Sequence, residues 1–174
     1  ANYTIEYGQN AFLSYYIVPF LATGTIEYYV DGVKTDVLVE GLSVGTHSIA
    51  VKFIENVFYN GAVSETKTLT VTKATPEITV TANPIAYGQD ATITIGLDGV
   101  NDEKITGVVK VTINGKVYDV AVTNGVGTLT VSGLAAREDG YPISVEFAGN
   151  ENYKSANNYS TKQIVNKAQP AFEV

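Results

Sequence analysis

YGQN at Tyr7–Asn10 returns as YGQD at Tyr87–Asp90, and the chain goes on repeating itself with an offset that drifts. The offset is 80 at YGQ, 83 where TGTIEYYVDG from Thr23 meets TGVVKVTING from Thr106, and 92 where Gly41-Leu42 meets Gly133-Leu134. It settles at 94, where Ile49, Val51, Phe53, Asn56, Tyr59 and Ala62 correspond to Ile143, Val145, Phe147, Asn150, Tyr153 and Ala156. Self-similarity of this kind means one folding unit used more than once. The drift places insertions in the second copy, among them three residues around Asp102–Lys104 and nine before Gly133. KATPEITV (73–80) is echoed by KAQPAFEV (167–174), so 73–166 is one full period and the tail reads as the opening strand of a third repeat. Residues 1–73 and 74–167 are therefore expected to be two domains, with 168–174 starting another. The short connection near Thr72–Pro76 contains a proline, which restricts bending. With no initiator Met and a repeat cut at each end, the chain is expected to be a piece of a longer protein.

Within the full period, short runs rich in Val, Ile and Thr mostly alternate, at 78–80, 91–97, 108–113, 116–122, 128–131, 143–147 and 160–165. Asn114-Gly115 between two of them predicts a type I′ hairpin turn, which needs positive φ at both positions. Asn124-Gly125 and Asp139-Gly140 mark further turns, and Asn83-Pro84 breaks the first strand. No eleven-residue window has a helical apolar period. The expected fold is all-β: two tandem immunoglobulin-like antiparallel β-sandwiches, seven-stranded in the second copy. The first copy is leaner. An Asp31-Gly32 turn leads from IEYYV into VLVEGL, and its nine missing residues are expected to remove one hairpin strand. Most of the strand matching PEITV is also missing, since Ala1 falls near its end, which leaves an unpaired edge.

Composition closes off several function classes. There is no Cys, hence no disulfide framework, thiolate metal site or thiol nucleophile. Hydrophobic residues at 45% and charged residues at 17% suit a packed core and not a disordered chain. A net charge of -7 with no Lys/Arg cluster lacks the footprint of a nucleic-acid binder. Ala11–Ala22 is too short to span a bilayer and contains Pro19, so no membrane insertion is expected within the chain. Ala1–Asn10 has neither the basic start nor the apolar block of a signal peptide.

The order of motifs is YGQ, then TG with an alternating strand ending in DG or NG, then GL with a GTH or DGY corner, then FxxNxxYxxA and a closing Lys-Ala. In that order they resemble the group 3 bacterial Ig-like domains, repeated in tandem in large surface adhesins and adhesin-like proteins of bacteria and methanogenic archaea. The resemblance covers nearly the whole chain. It implies an extracellular, cell-surface stalk or adhesive module whose partners are adjacent repeats of the parent chain and a glycan or protein of a host or neighbouring cell. It carries over no catalytic residue, and no cofactor or metal is expected.

Individual residues fit this reading. His47, the single histidine, aligns with Tyr141 and lacks an accompanying Ser or Asp motif for base catalysis, so a corner position between sheets is expected. Asp102-Glu103 lies in the three-residue insertion; a calcium site there would need several more converging oxygens, and solvated charge is the simpler expectation. Gln163 aligns with the inward Leu69. A buried amide must find partners; a terminal strand with a local bulge is expected there in preference to an ester or isopeptide cross-link of the kind some surface adhesins carry. Lys110 and Glu146 take the outward phase. Leu13, Tyr15 and Ile17 share the inward phase of Ile93, Ile95 and Leu97, so Phe12 and Tyr16 face outward where the second copy has Thr92 and Gly96, as does Tyr29 where it has Thr112. Phe12, Tyr16 and Tyr29 are the candidate ligand-binding residues, with cover by an adjoining loop or domain as the plain alternative. Asn2 and Asn158 each open an N-x-S/T glycosylation pattern. The leading functional expectation is a spacer holding a distal binding region away from the cell. The alternatives are an adhesive first repeat and spacer domains of an extracellular carbohydrate-active enzyme.

Overall fold

The structure, a computed structural model, describes residues 3–19 and 22–173. The chain divides into two compact units, Ala1–Ala74 and Thr75–Val174. Among the described residues the regular structure is all strand, apart from one 3-10 turn at Val100–Asp102.

The second unit is a closed sandwich. Its strands are β9 (Glu77–Ala82), β10 (Ile85–Ala86), β11 (Ala91–Asp98), β12 (Gly107–Ile113), β13 (Lys116–Val122), β14 (Val126–Val131), β15 (Arg137–Phe147) and β16 (Ala156–Asn166), numbered after eight in the first unit. A five-stranded sheet, β10-β16-β15-β12-β13, faces a three-stranded sheet, β14-β11-β9. All seven runs read from the sequence are strands, and β10 is added where the chain changes sheets after Asn83-Pro84 and pairs parallel to β16. Asn114-Gly115 and Asn124-Gly125 have positive φ at both residues, as type I′ turns require. Asp139-Gly140 corrects an expectation: it is no turn but a bulge inside β15, where Gly140 at φ 81 shifts the register against β16 between Arg137 and Tyr141. Ile93, Ile95, Leu97, Val109, Val111, Val145 and Val165 fill the space between the sheets with no exposed surface.

The first unit keeps one large sheet and only the rudiment of the other. Its strands are β1 (Tyr3–Glu6), β2 (Ala11–Phe12), β3 (Ile26–Val30), β4 (Val33–Thr35), β5 (Leu38–Val39), β6 (Gly45–Phe53), β7 (Ala62–Val63) and β8 (Lys67–Thr72). The large sheet runs β1-β8-β6-β3-β4 with β7 also on β6, and the small one is β2-β5 alone. The hairpin strand expected to be missing is present as the stub β4, paired to β3 through the Asp31-Gly32 turn. The nine residues absent here correspond instead to the second half of β13, its turn and the start of β14. What survives keeps register: Ala11↔Val39 and Phe12↔Leu38 match Ala91↔Val131 and Thr92↔Thr130. By offset, β1 is the counterpart of β10, and the counterpart of β9 would reach only Ala1–Asn2, outside the described residues.

The shared motifs are turn machinery. Gln9 Oε1 accepts the Glu6 N–H and Gln89 Oε1 the Ala86 N–H, each at 2.8 Å, around Gly8 and Gly88 at φ 83 and 94. The next amide, of Tyr7 or Tyr87, donates to the carbonyl of Thr72 or Asn166, tying the opening strand to the last one. In FxxNxxY, Asn56 Oδ1 accepts from the amides of Phe58 and Tyr59, and Asn150 Oδ1 from those of Asn152 and Tyr153. Asn supplies this Asx turn because its short side chain reaches backbone two and three residues on.

Candidate functional site

The two units differ most where they should be most alike. On the inner face of the large sheet, Val109, Val145 and Tyr153 are sealed in the second unit, while their counterparts Ile26, Val51 and Tyr59 are only half-buried in the first; Phe53, like its counterpart Phe147, is buried. Two additions close the second unit. The nine-residue insertion completes β13 and β14 and so extends the ladder along β11 to Gly96↔Val126. The three-residue insertion forms the turn over Tyr153, whose hydroxyl donates to Glu103 and accepts the Val100 N–H at 3.1 Å. Gly99 leaves room for that ring, since a β-carbon there would overlap it; Pro19 holds the corresponding place in the first unit.

Without those additions the strand expected over 11–17 stops at Phe12. Leu13 still donates to the Val37 carbonyl at 2.8 Å, but Ser14–Val18 pair with no strand among the described residues. Freed from the ladder, this segment loses its alternation. Tyr15, expected inward, is 48% exposed and meets Tyr28 edge to face at 6.2 Å. Between the segment and the sheet lies an open cleft of about 270 Å³, walled by Tyr15, Tyr16, Ile17, Ile26, Val51 and Phe53, with Tyr59 and Val63 at one end. Phe53 and Tyr59 stand edge to face there at 6.2 Å.

Of the three expected ligand-binding residues the structure places one in this cleft. Tyr16 lines it and is 81% exposed; Phe12 is 67% exposed on β2 and is not among the lining residues. Tyr29 lies on the opposite face of the large sheet, its hydroxyl donating to Glu27, which also holds Lys34. Tyr15 was hidden from the sequence because alternation assigned it inward. The available signal was Pro19 standing at the Gly99 position, just past a strand whose partner lacks the nine inserted residues.

His47 occupies the corner expected of it. In the second unit Tyr141 donates its hydroxyl to the Ala135 carbonyl at 3.0 Å. Ser43 is the counterpart of Ala135, and its carbonyl lies 2.9 Å from His47 Nε2, while Nδ1 lies 2.7 Å from Asp31 Oδ2. Both ring nitrogens face acceptors, so the imidazolium satisfies both and either neutral tautomer only one. The Asp31 carboxylate, then the Ser43 carbonyl, raise the His47 pKa above its ordinary 6.5; His47 and the Ser48 N–H hold Asp31 below its ordinary 3.8. The His47 contribution to stability is complete below about pH 6.5 and lost as pH rises through its raised folded value. The Asp31 contribution is complete above about pH 3.8 and lost as pH falls through its lowered one. Calorimetry is expected to show the melting temperature of the first unit falling as pH rises above about 6.5, and Asp31→Asn, which keeps the turn, flattening that dependence.

The remaining candidates are tied into structure. Glu103 binds Tyr153 and Asp98 pairs with Lys104 at 2.6 Å. Among the described residues no group of three or more His, Cys, Asp or Glu could hold a metal, nor is any helix long and apolar enough to cross a membrane. Gln163 is fully buried, and its amide nitrogen donates to the Asn83 carbonyl at 2.7 Å and to that of Ile164 at 3.0 Å; Oε1 has no partner. The side chain thereby satisfies a carbonyl released where the chain switches sheets, a task absent at Leu69, which pairs with Tyr3 directly in the ladder. Lys110, outward as expected, pairs with Asp119 at 2.8 Å. Asn158 donates its amide to the Ile78 carbonyl at 2.8 Å and accepts from Ser160, so its nitrogen is engaged between strands. Asn2 lies outside the described residues.

These sheets define the chain as nearly all-β, built of tandem immunoglobulin-like modules. No family model and no curated protein matches it. Among solved structures it is similar to a crystal structure of the I9-I11 tandem from titin, with a TM-score of 0.38 and 12% identity over 96% of this chain. The chain spans 64% of the length of that structure.

Proposed function

We propose that the chain is a structural, non-catalytic segment of a cell-surface, adhesin-like protein, in which repeats of the group 3 bacterial Ig-like kind space a more distal binding region from the cell. The observation that carries this reading is the duplication of turn machinery: the same Gln clamp and the same Asn-centred turn recur in both units. His47, Gln163 and Asn158 are meanwhile engaged in corners and strand ties. Antibody raised against the chain should label intact cells of the source organism, and brief protease treatment of those cells should remove the signal. Labelling only after lysis would overturn the surface assignment.

A second reading is favoured by one feature, the aromatic cleft open in the first unit and sealed in the second. There the first repeat is itself adhesive, holding a sugar face or an apolar side chain against Tyr15, Tyr16 and Tyr59. Glycan-array binding by the whole chain that disappears in Tyr16→Ser would support it, and equal signals from wild type and variant would remove it.

A further inference from the structure

The chain contains three Asn-Gly pairs, Asn60-Gly61, Asn114-Gly115 and Asn124-Gly125. A glycine after asparagine leaves the following backbone nitrogen unhindered, so that nitrogen can reach the asparagine side-chain amide. Attack needs a glycine N–H that no acceptor holds and a backbone free to bring it onto Cγ. The fold separates the three pairs on both counts. Asn114 and Asn124 sit in the same type of turn, at φ 49 and 72 for the first pair and 49 and 80 for the second. The second is tied on three sides. The Asn124 N–H donates to Thr106 Oγ1 at 3.0 Å, the Gly125 N–H to the Ile105 carbonyl at 3.0 Å, and the Gly125 carbonyl accepts the Leu97 N–H at 2.9 Å. Gly125 is also buried against Lys104. Asn114 and Gly115 are exposed, with open space where a β-carbon on Gly115 would stand. Among the described residues neither the Gly115 N–H nor the Asn114 side chain makes a hydrogen bond. The same holds for the exposed Asn60 and Gly61.

We infer that Asn60 and Asn114 are sites of spontaneous deamidation in the folded protein, and that Asn124 is locked against it by the three hydrogen bonds of its turn. At Asn114 the Gly115 nitrogen gives its proton to solvent and attacks Cγ. The Cγ–Nδ2 bond breaks, ammonia leaves, and water opens the resulting five-membered imide at one carbonyl or the other. One product is aspartate and the other isoaspartate. Aspartate keeps the turn, since the counterpart pair Asp31-Gly32 holds the same geometry at φ 50 and 77. Isoaspartate adds a methylene to the backbone of a two-residue loop, so the hairpin of β12 and β13 cannot close in its Ile113↔Lys116 register. At Asn60 either product sets a carboxylate among the residues that line the cleft. The stalk reading neither requires nor forbids this chemistry.

Peptide mapping of the whole chain during incubation in warm, mildly alkaline buffer tests it. Conversion is read from the mass gained when each amide becomes an acid, and electron-transfer fragmentation tells isoaspartate from aspartate. A parallel sample in urea supplies the unfolded rates, at which all three pairs should convert together. In the folded chain Asn60 and Asn114 should still convert, and Asn124 should convert about tenfold more slowly than either, because its glycine N–H must first leave the Ile105 carbonyl. Equal rates at Asn114 and Asn124 in the folded chain would overturn the inference. So would an Asn60 or Asn114 that stays intact in the folded chain while the urea sample converts.

Discussion

Changing Tyr153 to Ala is expected to destabilise the second unit by about 3–5 kcal/mol, while the same change at Tyr59 costs the first unit about 1 kcal/mol. The two tyrosines are one position of one motif, and each takes an amide-to-Asn turn from its own repeat. They differ in what lies over the ring. Tyr153 is 1% exposed beneath the inserted turn, and its removal leaves a cavity and takes the acceptor from the half-buried Val100 N–H. Tyr59 faces the cleft and is already half in water. Calorimetry of the two variants should move different transitions, because each unit has its own core. Equal losses would mean that the first unit is as tightly sealed as the second.

Gly149→Ala should be nearly as damaging, about 2–4 kcal/mol. Gly149 has φ 91, and a β-carbon there would lie 2.7 Å from the Tyr153 carbonyl oxygen and 3.0 Å from the backbone of Lys154 and Ser155. Those atoms belong to the turn closed by the Asn150 amide on the same carbonyl, so the backbone has no inexpensive way to retreat. The first unit carries an exposed Glu55 at this position and does so without positive φ. Glu55→Ala should therefore stay within about 0.5 kcal/mol of wild type. Urea titrations of both variants check the contrast.

Much of this architecture could be read before any coordinates, for a physical reason. Period-2 alternation and Asn-Gly turns are local signals, and in the second repeat every strand has neighbours on which that alternation acts, so all seven runs became strands. The failures fall where a local signal depends on a distant partner. Asp139-Gly140 has the composition of a turn, but the ladder with β16 runs past it and absorbs Gly140 as a bulge. Leu13–Ile17 alternates like Ile93–Leu97, yet a strand needs something to pair with, and the missing residues had removed it. The cleft was legible only indirectly, as the drift in offset that marked where the second repeat had gained its cover. His47 stands at the corner position of Tyr141 and Gln163 at the inward position of Leu69; what each satisfies, the Ser43 and Asn83 carbonyls, depends on three-dimensional proximity alone.

The second repeat is sealed and the first is open, though both are built from the same motifs. Native-state amide exchange at low protein concentration measures that contrast residue by residue. Ile93–Gly96 and Val145 should exchange only with global unfolding of the second unit, while Ser14–Val18 exchange orders of magnitude faster than the rest of the first. Comparable protection of Ser14–Val18 and Thr94–Asp98 would contradict it, since that would require a paired strand where the structure leaves an edge.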